Sequence, residues 1–245
     1  MYTVILFYKY VFISDPTQLR DRLYSQCERL GLTGRIIVAK EGINATLEGT
    51  ARAIDTFVKS FTQDVRFADI DVKTSESDGK AFPRLSVKVR PEIVASLLPP
   101  TIDPTKDTGS YMAPEELQER LARGDDLIII DMRNDYEYER GHFKGSLNSG
   151  MDNFRDLPNV VERFVHLKDK PVLPVCTGGV RCEKASAYLK AQGFKEVYQL
   201  KGGMHRYMEQ YPEGAFEGEL YVFDRRHHWH PKKKMHSHLT AEQHR

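Results

Sequence analysis

Short apolar runs alternate with amphipathic stretches along the first third of the chain. VILFYKY (residues 4–10) is rich in β-branched and aromatic residues and predicts a strand. PTQLRDRLYSQCERLG then spaces Leu19, Leu23, Cys27 and Leu30 along one helical face, and Gly31 closes it. RIIVAKEGINATLEG reads as strand, turn, strand, with Gly42 and Asn44 at the turn. TARAIDTFVKSF is a second helix with Thr50 as its cap, and IDVKTS and RLSVKVR are further strands. This βαββαβ order, with an additional strand, predicts a ferredoxin-like α+β sandwich over residues 1–97.

The pattern breaks at LLPPTIDPTKDTGSYMAP, whose four prolines and lack of periodicity mark a linker, placed at residues 98–113. Beyond it the texture changes. APEELQERLARG is an amphipathic helix that starts at Pro114. DLIIIDMR, PVLPVC and EVYQL are continuous apolar runs of buried-strand type, separated by the helical stretches FRDLPNVVERFV, RCEKASAYLKAQG and HRYMEQYP. Strands alternating with helices predict a parallel sheet flanked by helices, an α/β domain over residues 114–212. Ligands gather beyond the carboxyl ends of such strands, where Asp131 and Cys176 both sit. Residues 213–245 are left as a C-terminal extension with a partly disordered basic tail.

Composition changes this picture little. The 245 residues carry the apolar and charged fractions of an ordinary soluble protein. No apolar run reaches the roughly 20 residues of a membrane helix, and MYTVILFYKYVFISD lacks a basic start and a small-residue cleavage site. Three cysteines, Cys27, Cys176 and Cys182, are too few for a disulfide framework, so a reducing, cytoplasmic setting is expected. The net charge of +1 hides an asymmetry, because Arg225 to Arg245 holds six Lys/Arg against one Glu. That tail also carries His227, His228, His230, His236, His238 and His244 around Lys232 to Lys234, which reads as a solvated basic segment, a weak RNA attachment or a metal-binding tract.

The candidate chemistry lies in CTGGVRCEKASAYL. Cys176 ends a buried strand and Cys182 opens a helix, so Thr177, Gly178, Gly179, Val180 and Arg181 must curl between them. A strand–loop–helix of this kind turns its amides inward at a helix N-terminus and forms an anion nest. A sulfur facing that nest, with Arg181 nearby, is expected to be a thiolate ringed by amide nitrogens from Thr177 to Cys182. Zinc is disfavoured, since five residues separate the cysteines where two to four are usual. Only four residues separate Cys176 from Arg181, one fewer than a phosphatase loop, and this smaller ring suits sulfur better than a tetrahedral phosphate.

At this point three motifs carry a resemblance. DMRNDYEYERGHFKGSLN (Asp131 to Asn148), the loop Cys176–Arg181 and VYQLKGGMHRY resemble, in that order, the signatures of a rhodanese domain. With KEGINATLEGT in an acylphosphatase-like first domain, the stretch from Tyr2 to Asp224 is similar to the bacterial tRNA uridine-34 hydroxylases. The resemblance implies installation of 5-hydroxyuridine at the wobble position, with tRNA as partner, molecular oxygen as co-substrate and Cys176 as the active residue. Many members continue into a cysteine-rich segment, whereas YVFDRRHHWHPKKKMHSHLTAEQHR contains no cysteine, so no role of that segment carries over. No flavin, haem or iron motif is present, and no cofactor, metal, membrane or protein partner is expected.

Several readings stay open on sequence grounds. A rhodanese-type sulfurtransferase carrying a persulfide on Cys176 needs the same loop, and an RNA-binding scaffold with a vestigial loop is a non-enzymatic alternative. In the hydroxylase reading Cys176 adds to C6 of uridine while the loop amides and Arg181 stabilise an oxyanion at O4, and Cys182 either resolves an oxidised Cys176 or is a small helix-start residue. Asp131 and Arg133 either orient the loop through a salt bridge beneath it or, as strand-end pairs more often do, serve a structural role; Glu137 and His142 are expected to be fold-signature residues, and Cys27 to be core. Lys40, Asn44, Arg84, Lys88 and Arg90 are candidates for the tRNA backbone. Phe82, Tyr136 and Tyr207 are candidates for stacking on a flipped base.

Overall fold

Alternation along the first strand decides how the molecule is layered. The computed structural model describes residues 1–232. In β1 (Tyr2–Tyr10), Ile5 and Phe7 are fully buried on one side, and Leu6, Tyr8 and Tyr10 face the other. Helix α1 (Pro16–Arg29) starts under Asp15, whose side chain accepts from the Gln18 amide, and buries Leu19, Leu23 and Cys27. β2 (Thr33–Ala39) and β3 (Gly42–Thr50) form a hairpin, and α2 (Ala51–Phe61) starts at Thr50, whose hydroxyl accepts from the Ala53 amide. With β4 (Lys73–Ser77) and β5 (Leu85–Val89) the sheet order is β4-β1-β3-β2-β5, β5 being the additional strand, parallel to β2. Both helices cover one face, where Phe7, Phe57, Phe61 and Phe67 pack ring against ring. Asn44 is not at the turn, which is Lys40–Glu41. It lies within β3, opposite Tyr8 and Ile37.

The second sheet is wholly parallel. It uses β6 (Ser110–Met112) and, after α3 (Pro114–Arg123), β7 (Ile128–Asp131). Then come α4 (Asp135–Tyr138), β8 (Gly141–Phe143), β9 (Leu147–Asn148) and α5 (Leu157–Val161) between two 3-10 turns. β10 (Pro171–Val175), α6 (Val180–Ala191), β11 (Glu196–Leu200) and α7 (Gly203–Gln210) complete it, with strand order β6-β11-β10-β7-β9. Helices cover both faces: α5 and α6 pack on Ile130, Val172 and Val197, and α3 and α7 on Ile129, Leu173 and Leu200. β6 falls in the stretch read as linker, because three residues among prolines and glycine give no periodicity, yet they pair with Tyr198 to Leu200. Among the described residues no helix is long and apolar enough to cross a membrane.

The described part of the C-terminal extension is folded. β12 (Phe216–Gly218) pairs with β8, and β13 (Leu220–Tyr221) pairs with β14 (His228–Trp229). The reading of a disordered tail, with His236, His238, His244, Lys233 and Lys234, lies outside the described residues.

The β1 side of the sheet face that the helices leave open is laid against the second domain. Tyr8 donates to Glu183 Oε1 at 2.8 Å and Tyr10 to the Val180 carbonyl at 3.1 Å. Lys184 reaches Glu92 at 2.6 Å and Glu41 at 3.0 Å, and Arg206 reaches Asp71 at 2.6 Å. Glu183 also accepts from Tyr111 and Gln199, so one buried carboxylate ties β1, β6 and β11 to α6. Tyr8→Phe removes one of its three donors, and urea unfolding is expected to show a loss of about 1–3 kcal/mol, as for a buried hydrogen bond to a charged group.

Candidate active site

Cys176 follows β10 directly and its side chain is fully buried. The chain turns back through Gly179 at φ +103°, a left-handed torsion that glycine adopts without strain, and enters α6 at Val180. That turn aims the Gly179 amide at Cys176 Sγ, 3.2 Å away, and the Cys182 amide and thiol also hydrogen-bond to it. Burial opposes the thiolate, but the Cys182 thiol, the Arg181 charge and the two amides outweigh it and bring the Cys176 pKa down to about 6. Burial, together with the neighbouring Cys176, drives the Cys182 thiol well above its ordinary range. The nest is therefore narrower than the sequence implies: two amides point at the sulfur rather than a ring from Thr177 to Cys182.

Arg181 does not bind the sulfur directly. Its Nη1 and Nη2 donate to the two Glu137 oxygens at 2.7 and 2.8 Å, and Nη2 lies 3.5 Å from Thr177 Oγ1. Glu137, on α4, is fully buried. Burial opposes its carboxylate, and the Arg181 charge and hydrogen bonds more than offset that, holding it ionised below the usual range. The fork fixes the guanidinium beside Cys176. Glu137, read from sequence as a signature residue, is thus the positioning partner of Arg181.

Asp131 and Arg133 form the salt bridge that the sequence offers, in its structural, strand-end form. Two residues apart at a strand end, they close on each other: Arg133 Nη2 is 2.6 Å from Asp131 Oδ2 and donates to the Gly141 carbonyl at 2.6 Å. They brace the α4–β8 segment, β7 pairs with β10 at Asp131 and Val175, and the Asp131 and Arg133 charges also act on Arg181 and Glu137 respectively. His142 stacks on Tyr138 at 4.0 Å, with Nδ1 3.0 Å from the Tyr138 carbonyl. Among the described residues no three His, Cys, Asp or Glu side chains converge as a metal-binding group.

Two further elements clamp the loop. From α7, the Met204 and His205 amides donate to the Cys176 and Thr177 carbonyls at 3.0 Å each. Gly203, at φ +68°, lies so close that a Cβ there would sit 2.7 Å from Gly178 C and 2.8 Å from Gly179 N, which accounts for the second glycine of KGGM. From β1, Leu6 lies against Gly178 and the Tyr8 hydroxyl against Gly179. Behind Tyr8, the buried Lys73 places Nζ 5.1 Å from the ring centre and pairs with Asp71 at 3.1 Å. Leu6, Tyr8, Tyr10 and Lys73 were not singled out from sequence, although strict alternation in VILFYKY put the first three on the face away from the helices.

The nucleic-acid candidates scatter. Lys40, Arg84, Lys88 and Arg90 are exposed, whereas Asn44 is half-buried and donates to the Ile93 carbonyl at 3.2 Å. Lys88 and Asn44 share the open face of the first sheet with Arg35, which the sequence reading missed. Phe82 and Tyr207 are buried, and Tyr136 is exposed. Cys27 is core, its thiol pushed up to about 12 by burial.

Family models match both parts of the chain: a "UPF0176 acylphosphatase like domain" over residues 2–93 and a "Rhodanese-like domain" over residues 113–210. The chain is 48% identical over 229 residues to the tRNA uridine(34) hydroxylase of Aster yellows witches'-broom phytoplasma, covering 92% of this chain and 74% of that protein. It is 44% identical over 225 residues to the enzyme of that name from Cytophaga hutchinsonii, covering 92% and 72%. The chain belongs to the tRNA uridine(34) hydroxylase family. In this family member the rhodanese-type loop is closed on one side by α7 and on the other by the acylphosphatase-like domain, as the resemblance of both halves implies.

The lowered Cys176 pKa is directly measurable. Ultraviolet thiolate absorbance is expected to titrate near pH 6 and to be absent from Cys176→Ala. Because the folded pKa lies below the ordinary 9.0, the unfolded chain binds more protons between about 6 and 9. The stability advantage of the wild type over Cys176→Ala therefore grows with pH across that window and is lost as pH falls through about 6. Gly203→Ala is expected to raise the Cys176 midpoint and lower stability by at least about 1–2 kcal/mol, through left-handed strain and displacement of the loop.

Proposed function

We propose that this chain hydroxylates uridine 34 of tRNA at C5, with Cys176 as covalent nucleophile and dioxygen as oxidant. The observation that carries the reading is a cysteine largely ionised at neutral pH in a dry nest, inside a member of this family. C5 of uridine is a weak nucleophile until an anion adds at C6. Addition of the Cys176 thiolate places negative charge on C5 and O4, and C5 then attacks dioxygen to give a hydroperoxide. Two electrons and two protons, supplied by a thiol reductant, convert the hydroperoxide to hydroxyl and water. Loss of the C5 proton then expels Cys176 as thiolate and restores the double bond.

Of the two parts the sequence offers Arg181, the geometry supports the one beside the thiolate. Its fork nitrogens are engaged by Glu137, so it holds the charge of the sulfur as nucleophile and leaving group rather than an oxyanion at O4. Cys182, whose thiol hydrogen-bonds to Cys176, is placed to resolve an oxidised Cys176 as a disulfide. Access to the sulfur requires β1 to separate from the loop, since Cys176 has no exposed surface beneath Leu6 and Tyr8. Apart from Leu6 on Gly178, the contacts that hold β1 there are polar and form an interdomain surface, the class of contact that opens most readily. The reaction belongs in the cytoplasm, where tRNA is its substrate.

Mass spectrometry of tRNA nucleosides tests the proposal, in a strain lacking this gene that carries either the wild-type or the Cys176→Ser protein. Wild type is expected to restore 5-hydroxyuridine derivatives and the serine variant to leave them absent. Full restoration by Cys176→Ser would sink the covalent mechanism. Loss of thiolated nucleosides in place of hydroxylated ones would assign the loop to sulfur transfer.

A further inference from the structure

Three aromatic rings stand at the solvent edge of the Cys176 loop, outside every core cluster. Tyr136, on α4, is 44% exposed, Phe223, just after β13, is 45% exposed, and Tyr221 between them is half-buried. Tyr136 and Tyr221 meet edge to face with ring centres 5.1 Å apart, and Tyr221 and Phe223 do so at 5.2 Å. The Phe223 ring lies 5.6 Å from the Arg181 guanidinium, and Tyr136 directly precedes Glu137. The rings thus form one continuous surface abutting the ion pair that positions the sulfur. Isolated exposed aromatics are ordinary, whereas a contiguous exposed group marks a binding surface.

Its surroundings say what it binds. The charges of Arg35 and Arg140 both reach the Tyr221 hydroxyl, and both side chains are exposed. Arg35 comes from the open face of the first sheet. It shares a cross-strand row with Thr46 and Leu6, which places it two strand spacings, about 10 Å, from the residue that covers Gly178. Aromatic faces for flat apolar rings, flanked by arginines from two domains, match unpaired nucleotides, whose bases stack and whose phosphates are anionic.

We propose that Tyr136, Tyr221 and Phe223 are a stacking platform for unpaired nucleobases of the anticodon loop next to the modified uridine, with Arg35 and Arg140 holding the intervening phosphates. This rests on the reading of tRNA as substrate. A base stacked here brings its neighbour to the rim of the Cys176 nest. The platform depends on the C-terminal extension, because β13 and the residues after it supply two of its three rings.

Binding of a labelled anticodon stem-loop RNA to the full chain tests the platform. Phe223→Leu and Tyr221→Leu keep apolar bulk and remove the ring, and each is expected to weaken binding about 5- to 100-fold, the range of one lost base–aromatic stack. Tyr221→Trp is expected to retain affinity. Arg35→Gln is expected to reduce the slope of log affinity against log salt by about 1. RNA made abasic beside uridine 34 is expected to bind the wild type more weakly and to show little further loss on the leucine variants. The thiolate titration of the leucine variants, expected to remain near pH 6, reports that the nest is intact. Leucine variants that bind within about twofold of wild type, or that lose as much affinity for abasic RNA as wild type does, overturn the platform. A wild-type protein that does not bind the RNA overturns the tRNA reading itself.

Discussion

A sulfur anion without water is the constraint on which this molecule is organised. Desolvation alone would keep Cys176 protonated, so the surrounding structure must supply fixed dipoles and charge in place of solvent. The loop supplies two amides and one thiol. It cannot supply the charge by itself, because a guanidinium free to swing would seek water. Glu137 therefore holds Arg181 by both fork nitrogens, and the pair is oriented as a unit beside the sulfur. Asp131–Arg133 bracing the α4–β8 segment, and the α7 amides bonding the loop carbonyls, extend the same requirement one layer outward.

The first domain belongs to this arrangement and is not an appendage to it. One face of its sheet is an ordinary aromatic core against two helices, while the other presents Leu6, Tyr8 and Tyr10 to the loop. Tyr8 is bonded to Glu183 and Tyr10 to the Val180 carbonyl, so the strand that closes the nest is anchored to α6 by polar contacts. Such a closure excludes water from the thiolate through contacts of the kind that separate most readily. An apolar interface of similar extent would exclude water equally well but would not release.

Much of this was legible in the sequence. The order βαββαβ followed by alternating strands and helices was readable because each element is long and strongly periodic, and the four-residue gap from Cys176 to Arg181 limited the chemistry of the loop. What escaped had physical reasons. β6 is three residues among prolines and glycine, too short for periodicity to register. Spacing left open whether Asp131 and Arg133 orient the loop or only brace the strand end, and a guanidinium two residues from a carboxylate closes locally. The partner of Arg181 is 44 residues away in sequence and that of Glu183 is 175 residues away, separations at which spacing carries no information. Leu6, Tyr8 and Tyr10 sit on the face that alternation marks as non-core, and only the docked second domain shows that these three are covered in part.

The loop alone does not choose between chemistries, since a persulfide and a base adduct both need a stabilised sulfur. The difference lies in what must reach it. A small sulfur donor or acceptor needs only a narrow opening, whereas a nucleobase on a polymer needs a surface along which the rest of the chain can lie. Rims from both domains meet at this nest, with arginines on the first sheet and on the α4–β8 segment and aromatic rings beside Arg181. A lid that is also half of a binding surface couples the two events: nucleotides bound across both rims would do so as β1 moves away, so sulfur would be uncovered mainly where a substrate is already seated. A solvent-exposed thiolate with a pKa near 6 is oxidised readily, and such a coupling would keep the sulfur dry until a base replaced the strand above it.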